Sequence, residues 1–498
     1  MLSKSDYREG LECGKRLWLK YHMPETEAAP SATARQRMTA GTEIGKIARN
    51  RFPGGLLIFA DGDSNQMAAD KTAQAMAAGA DILYEATFIC GSLVARIDIL
   101  LREAAGWRII EVKSSTKYKK PEHLPDVSFQ AHVFTECGHM LVGASLVYIN
   151  SDYVWRGGEW DVNQLFAIED ISSDVASAIG SVAVTAAGFL GLASQTAYPP
   201  DDGTAPYLDP VIQSACSGCA FVGHCKPRVP QDHVYYLGLH HTRLKKLLAE
   251  GTRSISLVPD TVPSTLPEKL RYEAFTSGGL AVSDALPERL AEIKYPAHFL
   301  DFETLRPDLP LFPGHRPYML LPFQWSCHTL TVAPQSNQSL SSAAHSEFVH
   351  KEQSDPRAAF VQSLLQILRT GASIVHYTVY EKTVLKQMHT DGIDGSEELM
   401  SFMDRFVDLE KILGDCYVDR RFLGKTSIKY VLPVVAPKLS YASLSISNGD
   451  QAQLEYLRLL NGEVNDDDAK QLVADLLAYC KLDTQAMLEV LNALVSAA

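Results

Sequence analysis

Apolar positions near the start of the chain recur at helical spacing. Tyr7, Leu11, Leu17 and Trp18 predict one amphipathic helix, and a second is predicted over residues 34–50. A series of strand-like segments follows. Residues 82–88, 93–101 and 107–112 are rich in β-branched and aromatic types and predict three consecutive strands. A helix is expected to begin near Asp126, followed by a buried strand at residues 141–150. The stretch TAYPPDDGTAPYLDP, residues 196–210, concentrates Pro, Gly and Asp and reads as a loop. Residues 231–290 hold a helix around 239–248 and several prolines, and read as a connector. A second pattern opens with a strand at 297–304. It continues through a strand at 322–331, a Ser/Gln-rich hairpin loop at 334–346, a helix at 357–369, a strand at 372–378 and further helices. The expected architecture is therefore α/β throughout: one unit at 1–230, the connector at 231–290 and a second unit at 291–498.

Composition supports a folded chain, with 46% hydrophobic and 21% charged residues among 498. No run of eighteen apolar residues is present and MLSKSDYREGLECGKRLWLK lacks an apolar signal core, so the expectation is a cytoplasmic protein without a membrane span. The formal net charge of −13 argues against a passive coat on nucleic acid. It is compatible with carboxylates gathered to hold metal ions. Lys117, Lys119 and Lys120, and further on Arg243, Lys245 and Lys246, are local basic runs that suit either a solvated face or phosphate contact. Of nine cysteines, Cys90, Cys137, Cys327, Cys416 and Cys480 are scattered and expected to be reduced core thiols.

Chemistry concentrates at three places. Asp98 lies in ARIDIL, and Glu111 and Lys113 lie in IIEVKSS at the end of the next strand. Strand side chains alternate, so Glu111 and Lys113 share a face, and Asp98 can join them if the strands pair. Such carboxylates can hold Mg²⁺ or Mn²⁺, while the lysine orients a water and offsets charge on phosphorus. A lone E-x-K is common; the preceding Asp98 and a following helix bearing Gln130 make this one specific. The set resembles the PD-(D/E)XK nuclease superfamily, in its RecB-like branch with a restriction-endonuclease-like fold. The resemblance implies Asp98 and Glu111 as metal ligands, Lys113 as the catalytic lysine, and Gln130 as the Q of a Q-x-x-x-aromatic motif with Phe134. It also implies Glu85 as a further acid. Gly45 stands where such relatives often carry a metal-binding His.

Cys216, Cys219 and Cys225 form a close triplet, and Cys13 sits about two hundred residues earlier. By residue type alone, zinc and an iron–sulfur cluster both fit four thiolates. A distant N-terminal Cys plus a C-terminal triplet around a RecB-like core is similar to the iron–sulfur nucleases of CRISPR adaptation and helicase–nuclease repair complexes. That resemblance implies a structural 4Fe–4S cluster on Cys13, Cys216, Cys219 and Cys225.

The third place is in the second unit. HFLDFET ends a strand with Asp301 and Glu303 on one side, and HYTVYEKTVL carries Glu381, expected at the end of another strand. AYCKLDTQAM places Tyr479 four residues before Asp483, on one helix face. Four converging acids are what two-metal phosphoryl chemistry requires. In order and spacing these residues resemble the DEDD exonucleases of RNase H-like (DnaQ-like) fold, tyrosine subclass. The resemblance implies Asp301, Glu303, Glu381 and Asp483 as metal ligands and Tyr479 as the residue that positions the attacking water. Tyr377 and Glu381 stand where that family has Asn and Asp. Asp408, Lys425, Ser427 and Lys429 are weaker candidates.

The whole chain resembles an uncharacterised bacterial family that fuses the two modules. That implies a two-nuclease enzyme acting on single-stranded or frayed DNA, 3′-to-5′ in its C-terminal part, in DNA repair or defence against foreign DNA. The rivals are an RNA-processing exonuclease, a protein in which one domain has become a nucleic-acid-binding module, and a metal-stapled scaffold. Protein partners are not legible.

Overall fold

A computed structural model describes residues 1–196, 216, 218–225, 229–336, 338, 340 and 343–498. The chain is mixed α/β and separates into two units, Met1–Arg228 with Pro307–Tyr318, and Val229–Arg306 with Met319–Ala498.

The first unit is built on β1 (Leu2–Ser3), β2 (Leu56–Leu57), β3 (Ile82–Cys90), β4 (Leu93–Glu103), β5 (Gly106–Lys113), β6 (Leu141–Ile149) and β7 (Phe166–Asp170). They form one sheet in the order β2-β3-β4-β5-β6-β7, with β1 paired to β4. β3, β4 and β5 are antiparallel neighbours, whereas β5 and β6 run parallel. A parallel pair needs a crossover, and the helix Lys120–Glu136 provides it. Both faces of the sheet are covered, which is why its strands read as almost continuous apolar runs. Ile97, Leu100 and Ile109 pack with Phe129 and Phe134 of the crossover helix and Val175 and Val182 of the helix Ser172–Ser194. Ile99, Ile110 and Val147 pack on the opposite side with Ile44 and Ala48 of the helix Ala32–Arg49.

Three differences from the sequence expectation have local causes. The single N-terminal helix is two, Lys4–Glu12 and Gly14–His22, because Cys13 between them is extended at φ −162. The break takes Leu11 off the buried face and leaves it 48% exposed. The crossover helix starts at Lys120, earlier than Asp126, with Pro121 in its first turn, where a missing N–H is tolerated. By length and composition alone, Ser172–Ser194 could cross a membrane. It also packs against the crossover helix and Gly14–His22, with Val175, Val182 and Ala186 buried. Residues 197–210 of the predicted loop lie outside the described residues.

The second unit holds β8 (Leu280–Val282), β9 (Ala297–Leu305), β10 (Leu321–Leu330), β11 (Ala344–Val349), β12 (Ser373–His376), β13 (Phe406–Asp408) and β14 (Tyr417–Asp419). Five of them form a sheet in the order β11-β10-β9-β12-β13. β9, β10 and β11 are an antiparallel meander, with β12 parallel to β9 and β13 parallel to β12. β8 pairs with β14, so residues read as a connector contribute to this unit's structure. Of the predicted 334–346 loop, residues 337, 339, 341 and 342 lie outside the described residues. On one face of the sheet, Leu300 and Phe302 pack with Phe360 and Leu364 of the helix Arg357–Leu368. On the other, Phe299 and Val375 pack with Met487 and Leu491 of the helix Asp466–Ala497. Asp301 and Glu303 follow Phe299 by two and four positions and share its face. That 32-residue helix is opened by Asn465, whose side chain accepts from the Asp467 and Asp468 amides, with three aspartates in its first turn.

Glu381 corrects the expectation of a strand end. β12 stops at His376, the Thr378 hydroxyl accepts the Tyr380 N–H at 3.2 Å, and Glu381 lies in the first turn of the helix Tyr380–Thr390.

Candidate functional site

In the second unit, β9 supplies Asp301 and Glu303 and the C-terminal helix supplies Asp483 and Tyr479. One ligand oxygen from each of Asp301, Glu303 and Asp483 lies within 4.8 Å of the others. Glu381 is outside that group but close enough to act electrostatically on all three acids. Its Oε2 is buried, with His376 Nδ1 at 3.6 Å, too far for a hydrogen bond.

The acids titrate as one crowded set. Burial, then the neighbouring Asp483 and Glu381 charges, hold the Asp301 and Glu303 carboxyls well above the usual range. Burial also raises Glu381, opposed by His376. Asp483 is pushed up to about 7 by burial, although the Tyr441 and Tyr479 hydroxyls and Lys429 favour its charged form. An all-oxygen donor set with unspent negative charge suits a hard divalent cation.

Sequence reasoning missed two contacts here. The Tyr441 hydroxyl donates to Asp483 Oδ1 at 2.5 Å, and the Cys480 thiol lies 3.5 Å from Asp301 Oδ2. Tyr441 is forty-two positions from its partner and carries no local signal; Cys480 was legible only as a core thiol. Gly449 borders the site: a Cβ there would stand at an ordinary 3.5 Å from Glu303 Oε2. Among the weaker candidates, Lys429 acts on Glu303 and Asp483. Lys425 bonds Tyr235 at 3.3 Å, while Ser427 and Asp408 sit at helix N-caps. Tyr377 is spent on the Thr426 carbonyl at 2.6 Å.

The helix carrying Asp483 is fixed to the sheet by polar side chains of β10. Gln324 Nε2 donates to the Leu476 carbonyl at 2.7 Å, and Ser326 Oγ and His328 Nδ1 each lie 2.8 Å from Thr484 Oγ1. Thr484 is completely buried. Thr484→Val keeps the shape but removes the shared hydroxyl, so it is expected to destabilise the fold by about 1–3 kcal/mol. A shift of the urea midpoint checks this, and an unchanged midpoint contradicts it.

In the first unit, the β3–β4 ladder lacks the Glu85–Asp98 pair. Glu85 takes φ 57, a left-handed conformation uncommon for a residue with a side chain. The Asp98 carboxylate instead accepts the Val112 N–H at 2.8 Å, which brings it beside Glu111. Lys113 Nζ lies 2.8 Å from Glu111 Oε1 and also bonds Asp126. Gln130 donates to Glu111 Oε2 at 2.6 Å and to the Arg96 carbonyl at 3.2 Å. Asp98, Glu111, Lys113 and Gln130 therefore come together, while Glu85 pairs with Arg49 at 2.7 Å. Lys4 and Asp126 complete the cluster and were not anticipated: Lys4 Nζ is 2.7 Å from Glu111 Oε1. Burial and the Glu111 charge push the Asp98 carboxyl up to about 7. Burial acts the same way on Glu111, but the Lys113 and Lys4 ammoniums outweigh it and hold Glu111 below its usual range. Of the basic runs, Lys119 pairs with Glu122, Lys120 with Asp174 and Arg243 with Glu268.

Cys13, Cys216, Cys219 and Cys225 are all unbridged. Cys13 and Cys219 are near enough for their charges to interact; burial raises the Cys13 thiol, and the Arg16 and Lys15 amides offset part of that. Cys219 and Cys225 pack in one apolar patch with Trp18, Leu19 and Phe221. The Cys219 N–H donates to the Cys216 carbonyl at 3.3 Å. Chain segments about two hundred residues apart thus bring Cys13 and Cys219 to one region.

The fold and these sites define a mixed α/β protein with a carboxylate centre in each unit. Residues 298–427 match the family described as a domain of unknown function, DUF2779. An uncharacterized protein of Mycoplasma pneumoniae, the MG366 homolog, is 29% identical over 130 residues, or 24% of this chain and 19% of that protein. The match therefore spans about a fifth of the relative's length. The DUF2779 stretch contains Asp301, Glu303 and Glu381 and ends before Tyr479 and Asp483.

Proposed function

We propose that the second unit is a divalent-metal-dependent exonuclease that shortens single-stranded or frayed DNA from the 3′ end, in repair or defence against foreign DNA. The observation that carries this reading is the approach of Asp301, Glu303 and Asp483 to within 4.8 Å, with Glu381 and Tyr479 beside them. The strand order β11-β10-β9-β12-β13, a meander followed by two parallel strands, supports an RNase H-like fold. Mg²⁺ or Mn²⁺ on these acids supplies polarisation of a phosphoryl oxygen and a more acidic water. Tyr479 holds the attacking water by its hydroxyl, Tyr441 fixes the orientation of the Asp483 carboxylate, and Lys429 offsets phosphate charge. The 3′-to-5′ direction rests on the family resemblance.

In the first unit, three antiparallel strands, a crossover helix and a parallel fourth strand support a PD-(D/E)XK fold. Asp98 and Glu111 are its ligand pair, Lys113 its catalytic lysine, and Gln130 holds Glu111. The four cysteines fit a 4Fe–4S cluster that ties the ends of this unit together, a structural role.

The test is an assay of the full chain on end-labelled single-stranded DNA and RNA of one sequence. Stepwise shortening of DNA from its 3′ end with Mn²⁺ or Mg²⁺, abolished by chelator, is expected. No cleavage of either strand overturns the reading, and cleavage of RNA alone reassigns the substrate.

A further inference from the structure

The two acidic centres differ in how their charge is met. In the second unit, Asp301, Glu303, Glu381 and Asp483 are four acids acting on one another, with Lys429 as the ammonium that bears on Glu303 and Asp483. In the first, Asp98, Glu111 and Asp126 are met by Lys4, Lys113 and Arg8. Arg8 Nε lies 3.4 Å from Asp126 Oδ1. Lys4 and Lys113 both contact the same atom, Glu111 Oε1, at 2.7 and 2.8 Å. A carboxylate oxygen offers two lone pairs, so these two ammoniums use both. The other oxygen, Oε2, is taken by Gln130 at 2.6 Å.

Lys4 is placed there by a built contact. Leu2 pairs with Leu93, the first residue of β4, and Ser3 and Asp6 form a reciprocal cap that starts the helix at Lys4. Lys20 holds Asp6 at 2.8 Å. The Lys4 side chain is 25% exposed and its ammonium also faces the Asp98 charge.

We propose that the Lys4 ammonium, bonded to Glu111 at 2.7 Å, competes with a divalent cation for that carboxylate, so that the first unit binds such an ion by displacing Lys4. The proposal rests on Asp98 and Glu111 being the ligand pair of this unit, and it does not depend on whether the second unit cuts DNA. Its consequence is unequal metal demand: the second centre fills first, and the first stays closed by its own N-terminal helix until the ion is abundant.

The test counts bound Mn²⁺ by electron paramagnetic resonance in the full chain carrying Asp301→Asn and Asp483→Asn, which silence the second centre. Adding Lys4→Met or Lys4→Gln is expected to tighten the remaining Mn²⁺ binding about tenfold or more, and Lys4→Arg to leave it weak. Binding that is equal or weaker in the neutral variants overturns the proposal. Crystals of the unaltered protein soaked in Mn²⁺ give a reading independent of variant folding. An anomalous peak at Asp98 and Glu111 with Lys4 swung away supports the proposal. A peak there with Lys4 still bonded to Glu111 overturns it. Failure of the DNA assay alone sinks the nuclease reading and leaves these binding outcomes intact.

Discussion

Asp301→Asn is expected to slow DNA shortening by on the order of 10³-fold or more, and at the same time to raise the thermal midpoint of the metal-free protein. The two effects have one cause. Asp301 is buried among Asp483, Glu381 and Glu303, and its carboxyl is held well above the usual range. An acid whose folded pKa is raised costs stability once ionised. The cost appears as pH rises above its ordinary value and is complete above the folded one. The metal-free protein should therefore be more stable in mild acid than near neutrality at this centre, and the asparagine should flatten that slope. Each kcal/mol relieved is worth about 2–4 °C for a unit of this size. Calorimetry across pH beside the end-labelled assay reads both quantities. A variant that still cuts, or that melts lower at neutral pH, contradicts the assignment of Asp301 to a metal centre.

Cys13→Ser is expected to strip iron from the anaerobically purified chain and to cost on the order of 5 kcal/mol, the closure entropy of a loop of about two hundred residues. On the proposed reading, the cluster links the junction between the two N-terminal helices to a patch containing Cys219 and Cys225. Without it, Trp18, Leu19 and Phe221 lose the constraint that keeps them together. Iron content, visible absorption and thermal midpoint should fall together. An unaltered protein that purifies with zinc and no iron excludes the cluster, and a Cys13→Ser protein that keeps its full iron excludes Cys13 as a ligand.

How much of this was legible follows from the distance over which each contact acts. The strand patterns around Asp98, Glu111, Asp301 and Glu303 were readable because alternation is local, and Tyr479 with Asp483 because four residues make one helical turn. HYTVYEKTVL predicts a strand end at Glu381 because it begins with an apolar run; the turn at Thr378, whose hydroxyl accepts the Tyr380 N–H, lies within the same few residues. The N-terminal helix was read as unbroken because its apolar positions continue in phase across Cys13, whose extended conformation leaves no mark in the pattern. Lys4 could not be found from sequence at all. Its partner Glu111 is 107 positions away, and a lysine beside an N-terminal serine looks like any solvated one.

Two acids of the second centre come from β9, Glu381 from the helix Tyr380–Thr390, and Asp483 from a helix roughly 180 positions beyond β9. A chain still being synthesised carries Asp301 and Glu303 long before it carries Asp483, and β10 has no Thr484 hydroxyl to grip. On the proposed reading, the second centre is therefore complete only once the helix bearing Asp483 has been made and has docked on β9 and β10.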